Sequence, residues 1–167
     1  MPVALVITAI TAVLTTLLSP VLPNSQISYF PARWWGRLLC WIFLIRVEVK
    51  GLDHLDPERS HIFIANHQSI FDIFTIYGWL PGIFKWIMKA ELRKVPLVGK
   101  ACETAGHIFI DRTNPVAAKI SLDKAEKQLT NGVSVVIFPE GTRTKSGKMG
   151  KFKKGAFKLA TDLQLPI

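Results

Sequence analysis

The chain has 167 residues, enough for one domain with a real core, and it is 49% hydrophobic with a formal net charge of +9. Two cysteines, Cys40 and Cys102, supply neither a disulfide framework nor a metal spacing. The four histidines, His54, His61, His67 and His107, form no His-x-x-x-His or Cys-His cluster, so no metal site is expected and a reducing, cytosolic setting is the default. The charge is unevenly placed: residues 1–32 contain no Asp, Glu, Lys or Arg, whereas residues 143–161 carry seven basic side chains (Arg143, Lys145, Lys148, Lys151, Lys153, Lys154, Lys158) and no acid. That asymmetry points to an anionic partner surface, and the apolar N-terminus favours lipid over nucleic acid.

Residues 2–22 are apolar, interrupted only by Thr8, Thr11, Thr15, Thr16, Ser19 and Pro20. They are about long enough to cross a bilayer, which takes roughly 20 residues. The absence of a basic n-region and of a small-x-small cleavage site argues against a signal peptide. Pro20 and Pro23-Asn24-Ser25 end this helix. A second apolar helix is expected over residues 34–45, too short to span, whose Trp34, Trp35 and Trp41, with Arg33, Arg37 and Arg46, suit the interfacial zone. The two helices form either a hairpin that dips into one leaflet, or one true span followed by an interfacial helix, or two buried core helices.

Residues 46–51 alternate apolar and charged side chains and read as a half-buried strand, followed by a polar turn over 53–59. Residues 61–65 read as a buried strand, and 69–79 as a helix stopped by Gly78, Pro81 and Gly82. A short strand is expected at 85–88 and a short helical piece opening at 89–92, before Pro96 and Gly99 break the chain. Another strand covers 106–112. Asn114-Pro115 starts a helix with Asn as N-cap and Pro at the first position. It runs to about Thr130, with Ala118, Leu122, Ala125 and Leu129 on one face, and Gly132 ends it. Residues 134–138 are the most β-prone run, 153–163 are helical, and 165–167 begin like a strand. No internal repeat is present. Strands alternating with helices predict an α/β domain over residues 47–167, built on a mixed, largely parallel sheet flanked by helices, and preceded by an N-terminal membrane-associated helical hairpin over residues 1–46.

Three of these strands end in polar groups. The first is followed by Asn66-His67-Gln68-Ser69-Ile70-Phe71-Asp72. Positions five apart on a helix do not meet, but His67 meets Asp72 if it lies just before the helix and the chain turns back onto the first turn. Ser69-x-x-Asp72 is a capping-box-like start that allows this, with Ser69 as N-cap and Asp72 at N3. A carboxylate so placed fixes the imidazole tautomer, and the other ring nitrogen can take a proton from a hydroxyl. No Gly-x-Ser-x-Gly elbow exists, so the hydroxyl can belong to the substrate. The same residues also read as no more than a helix cap and a structural histidine. The other strand ends are Asp111-Arg112 and Glu140-Gly141-Thr142-Arg143. If the strands are parallel, all three loops share one rim, where ligands of open α/β sheets bind. Arg112 and Arg143 can then take a phosphate with their planar guanidinium forks, and Lys89 can add a point charge. Gly141 permits a tight turn or close approach, and Glu140 can orient a substrate hydroxyl or hold Arg143. Taken one by one, Arg112 and Lys89 also read as solvated charges, and Glu140 as a turn residue.

Together these blocks resemble the glycerolipid acyltransferases. Asn66 to Asp72 matches their His-x4-Asp motif, and Phe138-Pro139-Glu140-Gly141-Thr142-Arg143 their second signature. Gly106-His107-Ile108-Phe109-Ile110-Asp111-Arg112 and Lys89-x-Glu91-Leu92-x3-Pro96-x2-Gly99 match the intervening blocks. The order and spacing over residues 47–167 are similar to those of bacterial 1-acyl-sn-glycerol-3-phosphate acyltransferases. The resemblance implies acyl transfer from acyl-CoA or acyl-carrier protein, as co-substrate without further cofactor, to the 2-hydroxyl of lysophosphatidate, making phosphatidate. It implies His67 as general base, Asp72 as its orienter, and Lys89, Arg112, Glu140, Gly141, Thr142 and Arg143 as substrate-binding. It also implies partners among membrane phospholipids, and a place on the bacterial inner membrane with the catalytic domain facing the cytoplasm. The acyl chain is expected in an apolar tunnel. The family's fourth block begins like Leu165-Pro166-Ile167, so the chain is expected to end inside it. Alternatives are another acceptor, such as glycerol 3-phosphate or another lysolipid, or a non-catalytic membrane phospholipid-binding fragment.

Overall fold

The computed structural model describes residues 2–56, 58–111, 113–126, 129, 132–144 and 147–167, with the backbone alone at 115, 118, 119 and 124–126. Four strands, β1 (Ile62–Ile64), β2 (Ile83–Lys89), β3 (Ile108–Ile110) and β4 (Val133–Ile137), form a sheet of order β1-β4-β2-β3. Every described pairing is parallel, with Phe63 opposite Val136, Trp86 opposite Val136, and Met88 opposite Phe109. β4 is central and buried at all five positions, the signature of a strand covered on both faces. Its side chains alternate between two clusters, as a period of two requires. Val135 and Ile137 pack with Ile62, Ile108 and helix α6 (Gly155–Leu163) through Ala156, Leu159 and Ala160. Val136 packs on the opposite face with Phe84, Trp86, Tyr77 and Tyr29.

Tyr77 belongs to α3 (Phe71–Trp79) and Tyr29 to α2 (Gln26–Ile42). These helices cross in backbone contact. A Cβ on Gly36 would run into the carbonyl of Phe74 and lie 2.9 Å from the Gly78 nitrogen. Arg37 then reaches across, Nε donating to the Gly78 carbonyl at 2.8 Å. α2 is longer than expected, 17 residues starting at Gln26, because Ser25 is an N-cap and not only part of a turn: its hydroxyl accepts from Ser28 N–H at 3.1 Å. Pro31 is absorbed inside the helix.

α1 (Pro2–Val21) packs against α2 and against α4 (Val98–Thr104). Its patterning is inverted relative to a water-soluble helix. Ala12, Thr15 and Ser19 are buried against the protein, while Leu5, Val6, Ile10, Leu17 and Val21 are each more than half exposed. It is long and apolar enough to cross a membrane, with mean hydropathy 2.1.

Three further expectations differ. Residues 46–50 form no strand, since alternation reports a half-buried chain whether or not a strand lies beside it. Val47 lies over Leu39, Cys40 and Phe74, while Glu48 and Lys50 pair with each other at 3.1 Å in solvent. Gly99 lies inside α4 and does not break the chain; a Cβ there would strike the Arg93 carbonyl, so the glycine marks a close approach. α3 begins at Phe71 rather than Ser69, for a reason that belongs to the site. Asn114 does cap α5 (Pro115–Glu126), its Oδ1 accepting from Ala117 N–H at 3.0 Å. Of the apolar face expected there, Leu122 packs on the core and Leu129 is buried; the side chains of Ala118 and Ala125 lie outside the described residues, as does Thr130. At the other end, the carbonyl of Pro166 accepts from Ile62 N–H at 2.9 Å, so the last residues lie along the outer edge of β1.

Candidate active site

Because the strands are parallel, their exits share one rim in the order β1, β4, β2, β3. β1 delivers His67 there. Its Nδ1–H donates to Asp72 Oδ2 at 2.9 Å, which leaves the Nε2 lone pair open, with no partner among the described residues. The same Oδ2 accepts the N–H groups of Gln68 at 2.7 Å and Ser69 at 2.9 Å. Asp72 therefore reaches back over the start of α3, the half of a capping box made by its carboxylate. The other half is missing: Ser69 Oγ accepts from Phe71 N–H at 3.3 Å, closing a tighter hydroxyl turn, and the helix starts later for that reason.

β4 delivers residues 138–144 beside it. Gly141, at φ 76°, closes a turn by donating its N–H to the Phe138 carbonyl at 3.0 Å, with Pro139 and Glu140 at the turn's centre. Glu140 is 7% exposed. Its Oε1 accepts from His67 N–H at 2.7 Å, and its Oε2 from Gly150 N–H at 2.7 Å. Its contacts are thus to backbone N–H groups rather than to Arg143. The His67 carbonyl accepts from Thr144 N–H at 2.8 Å. The imidazole lies flat on the Phe138 ring, centroids 4.0 Å apart and planes 9° apart, and Phe138 in turn stacks on Trp86 at 5.3 Å.

Thr142 and Arg143 are exposed. Lys89 ends β2, exposed and two strands from β1, about 10 Å at ordinary strand spacing. Asp111 leaves β3 with its Oδ1 accepting from Thr113 N–H and hydroxyl at 2.9 and 2.6 Å, bonds that hold its carboxyl below the usual range. Arg112 lies outside the described residues. Phe138, Trp86 and the N–H groups of Thr144 and Gly150 are parts of the site that the sequence reading missed. The available signal for the first was parity: Phe138 is two residues beyond Val136 and so faces the same side of β4.

Behind this rim lies a cavity of about 280 Å³ between α1, α2, α4 and the start of β2, lined by Thr8, Thr15, Ala12, Trp35, Ala101 and Lys85 among others. Tyr77 lines it and touches Trp86, so an aromatic series separates the cavity from His67. His107, in its wall, is kept neutral: its Nδ1 accepts from Trp86 N–H at 3.2 Å, its Nε2–H donates to Tyr77 Oη at 2.6 Å, and burial pushes its pKa down to about 3. Lys85 is 7% exposed, with Nζ donating to the Ala105 carbonyl at 2.6 Å, and burial lowers it from 10.5 to about 8. Below pH 8 both folded and unfolded chains carry the proton, and the native state bears the whole desolvation cost, on the order of 3 kcal/mol. Between pH 8 and 10.5 the native lysine sheds it first, so stability rises with pH. Lys85→Met is accordingly expected to raise the thermal midpoint at pH 7, by an amount that shrinks toward pH 10.5. Calorimetry across that range checks it; an advantage independent of pH would assign the effect to packing.

A parallel sheet that brings a carboxylate-held histidine to its C-terminal rim, against a Pro-Glu-Gly turn, defines an α/β domain equipped to take a proton from a bound hydroxyl. The Acyltransferase family model matches residues 46–167. Human 1-acyl-sn-glycerol-3-phosphate acyltransferase alpha is 42% identical over 128 residues, 76% of this chain and 45% of that protein. The 1-acyl-sn-glycerol-3-phosphate acyltransferase of Pseudomonas aeruginosa is 35% identical over 162 residues, 92% of this chain and 61% of that one. The crystal structure of the 1-acyl-sn-glycerophosphate acyltransferase from Thermotoga maritima has a TM-score of 0.73 at 29% identity, covering 90% of this chain and 61% of that one. The chain belongs to the acyltransferase family. It spans about half the length of the curated relatives it matches.

Proposed function

We propose that this chain carries the catalytic apparatus of an O-acyltransferase acting on the 2-hydroxyl of 1-acyl-glycerol 3-phosphate, with acyl-CoA or acyl-carrier protein as donor. The observation that carries this reading is the open Nε2 of His67 opposite a carboxylate-bonded Nδ1, with no thiol or hydroxyl of the described residues hydrogen-bonded to it. Cys40 is fully buried. Cys102 lies in the cavity wall, where burial pushes its thiol up to about 11. The hydroxyl is therefore the acceptor's. His67 Nε2 takes its proton as the oxygen attacks the thioester carbonyl. The C–S bond breaks, the thiolate leaves and takes the proton back from the imidazolium, and the new ester is phosphatidate. Asp72 stabilises the imidazolium while it lasts. Arg143, with Thr142, Lys89 and Arg112, holds the acceptor phosphate. The names of the relatives support this acceptor.

The inverted patterning of α1 supports a seat in one leaflet. The outward faces of α1 and α2, including Ile27, Phe30 and Trp41, are apolar and exposed, whereas the inward face of α1 rests on the domain along its length. A helix so docked lies beside the domain rather than crossing away from it. We place the chain on the cytoplasmic face of a bacterial inner membrane, with the cavity behind α1 receiving part of an acyl chain. The test is thiol release from acyl-CoA or acyl-carrier protein in membranes, offering lysophosphatidate, glycerol 3-phosphate and lysophosphatidylcholine. This chain is assayed beside a form extended past Ile167. Turnover with lysophosphatidate is expected. Preference for another acceptor corrects the substrate, and silence of both forms with both donors leaves a phospholipid-binding domain.

A further inference from the structure

We propose that Glu140 is a positioning residue that seats the catalytic base and ties that seat to the loop carrying Arg143. The inference rests on His67 being the base. Glu140 is 7% exposed, and a buried carboxylate is tolerated only when its oxygens are hydrogen-bonded. Both are: His67 N–H and Gly150 N–H each donate at 2.7 Å, distances typical of charge-assisted bonds. On its other side the His67 carbonyl accepts from Thr144 N–H at 2.8 Å. The backbone of the base is thus gripped from both sides by the segment that follows β4, and Arg143 sits between the grips. The residue placed to take a phosphate is thus carried on the same segment that seats the histidine.

The choice of Glu follows from the donors. Two N–H groups need two acceptors; Gln has one oxygen, and its NH2 would face a second N–H. Asp is one methylene short. Gly150 has its own reason: a Cβ there would lie 2.8 Å from Glu140 Oε2. Gly150→Ala therefore displaces the carboxylate while leaving its charge, His67 and Arg143 chemically intact.

Glu140→Gln, Gly150→Ala and the double variant are assayed in whichever form of the chain turns over, with far-UV circular dichroism as the folding control. Each single change is expected to lower kcat about 10- to 100-fold, the scale of a base misplaced by about 1 Å. The KM for lysophosphatidate should stay within about twofold. The double variant should be no worse than the worse single one, because both act through one contact. Amide exchange in the peptide carrying His67 should quicken in all three. A raised KM with kcat kept makes Glu140 a substrate ligand and overturns the proposal. So do additive losses, or exchange at His67 unchanged in folded variants. Full turnover by His67→Ala refutes the base assignment instead, and is recognisable as that.

Discussion

His67→Ala is expected to lower kcat for acyl transfer about 10²- to 10⁴-fold, the usual yield of a positioned general base, while leaving vesicle binding unchanged. The separation is geometric. His67 stands at the rim of the sheet, 15% exposed and held to Asp72. The surface available to lipid lies on the outer faces of α1 and α2, where Leu5, Leu17 and Ile27 are each more than 60% exposed. A loss confined to kcat means that the group acts in the transition state rather than in ground-state binding. Near-normal turnover would remove His67 from the chemistry, and with it the direct attack of the acceptor hydroxyl. Steady-state rates with lysophosphatidate, alongside sedimentation with vesicles containing phosphatidylglycerol, check both halves.

Asp72→Asn should cost about as much, 10²- to 10⁴-fold in kcat by analogy with other carboxylate–histidine pairs, with the fold retained. The amide oxygen is expected to take the place of Oδ2, because the N–H groups of Gln68 and Ser69 point at that position from 2.7 and 2.9 Å. The loop survives, but the charge that stabilises the imidazolium is gone. Asp72→Ala should do more. It removes the acceptor of both N–H groups at the start of α3, and should lower stability by about 0.5–2 kcal/mol, the usual cost of a lost cap, in addition to the lost rate. Urea unfolding of the two variants separates the effects. Equal stability of Ala and Asn variants would mean that the carboxylate orients His67 without organising the turn.

Phe138 and Glu140 show where reading the chain stops short. Both stand in a motif that the sequence displays plainly, and neither task is visible in it. A ring stacked on an imidazole and a carboxylate bonded to a peptide 73 residues earlier need β1 and β4 to be neighbours. That adjacency comes from the strand order, since β4 inserts between β1 and β2. Local pattern carries no information about which strand lies beside which. The same limit explains residues 46–50, whose alternation predicts exposure on one side but cannot supply a partner strand.

Determined by sequence alone were the α/β alternation, the apolar uncharged N-terminus, the cap at Asn114 and the three polar strand exits. Each depends on side-chain period, on turn chemistry or on residue type within a few positions. Only the tertiary structure decided that the described strand pairs are all parallel and that α1 turns its hydroxyls inward and its apolar face out. It also decided that Glu140 serves the His67 backbone, because these depend on contacts between segments far apart in the chain, where burial and hydrogen-bond satisfaction outweigh local preference.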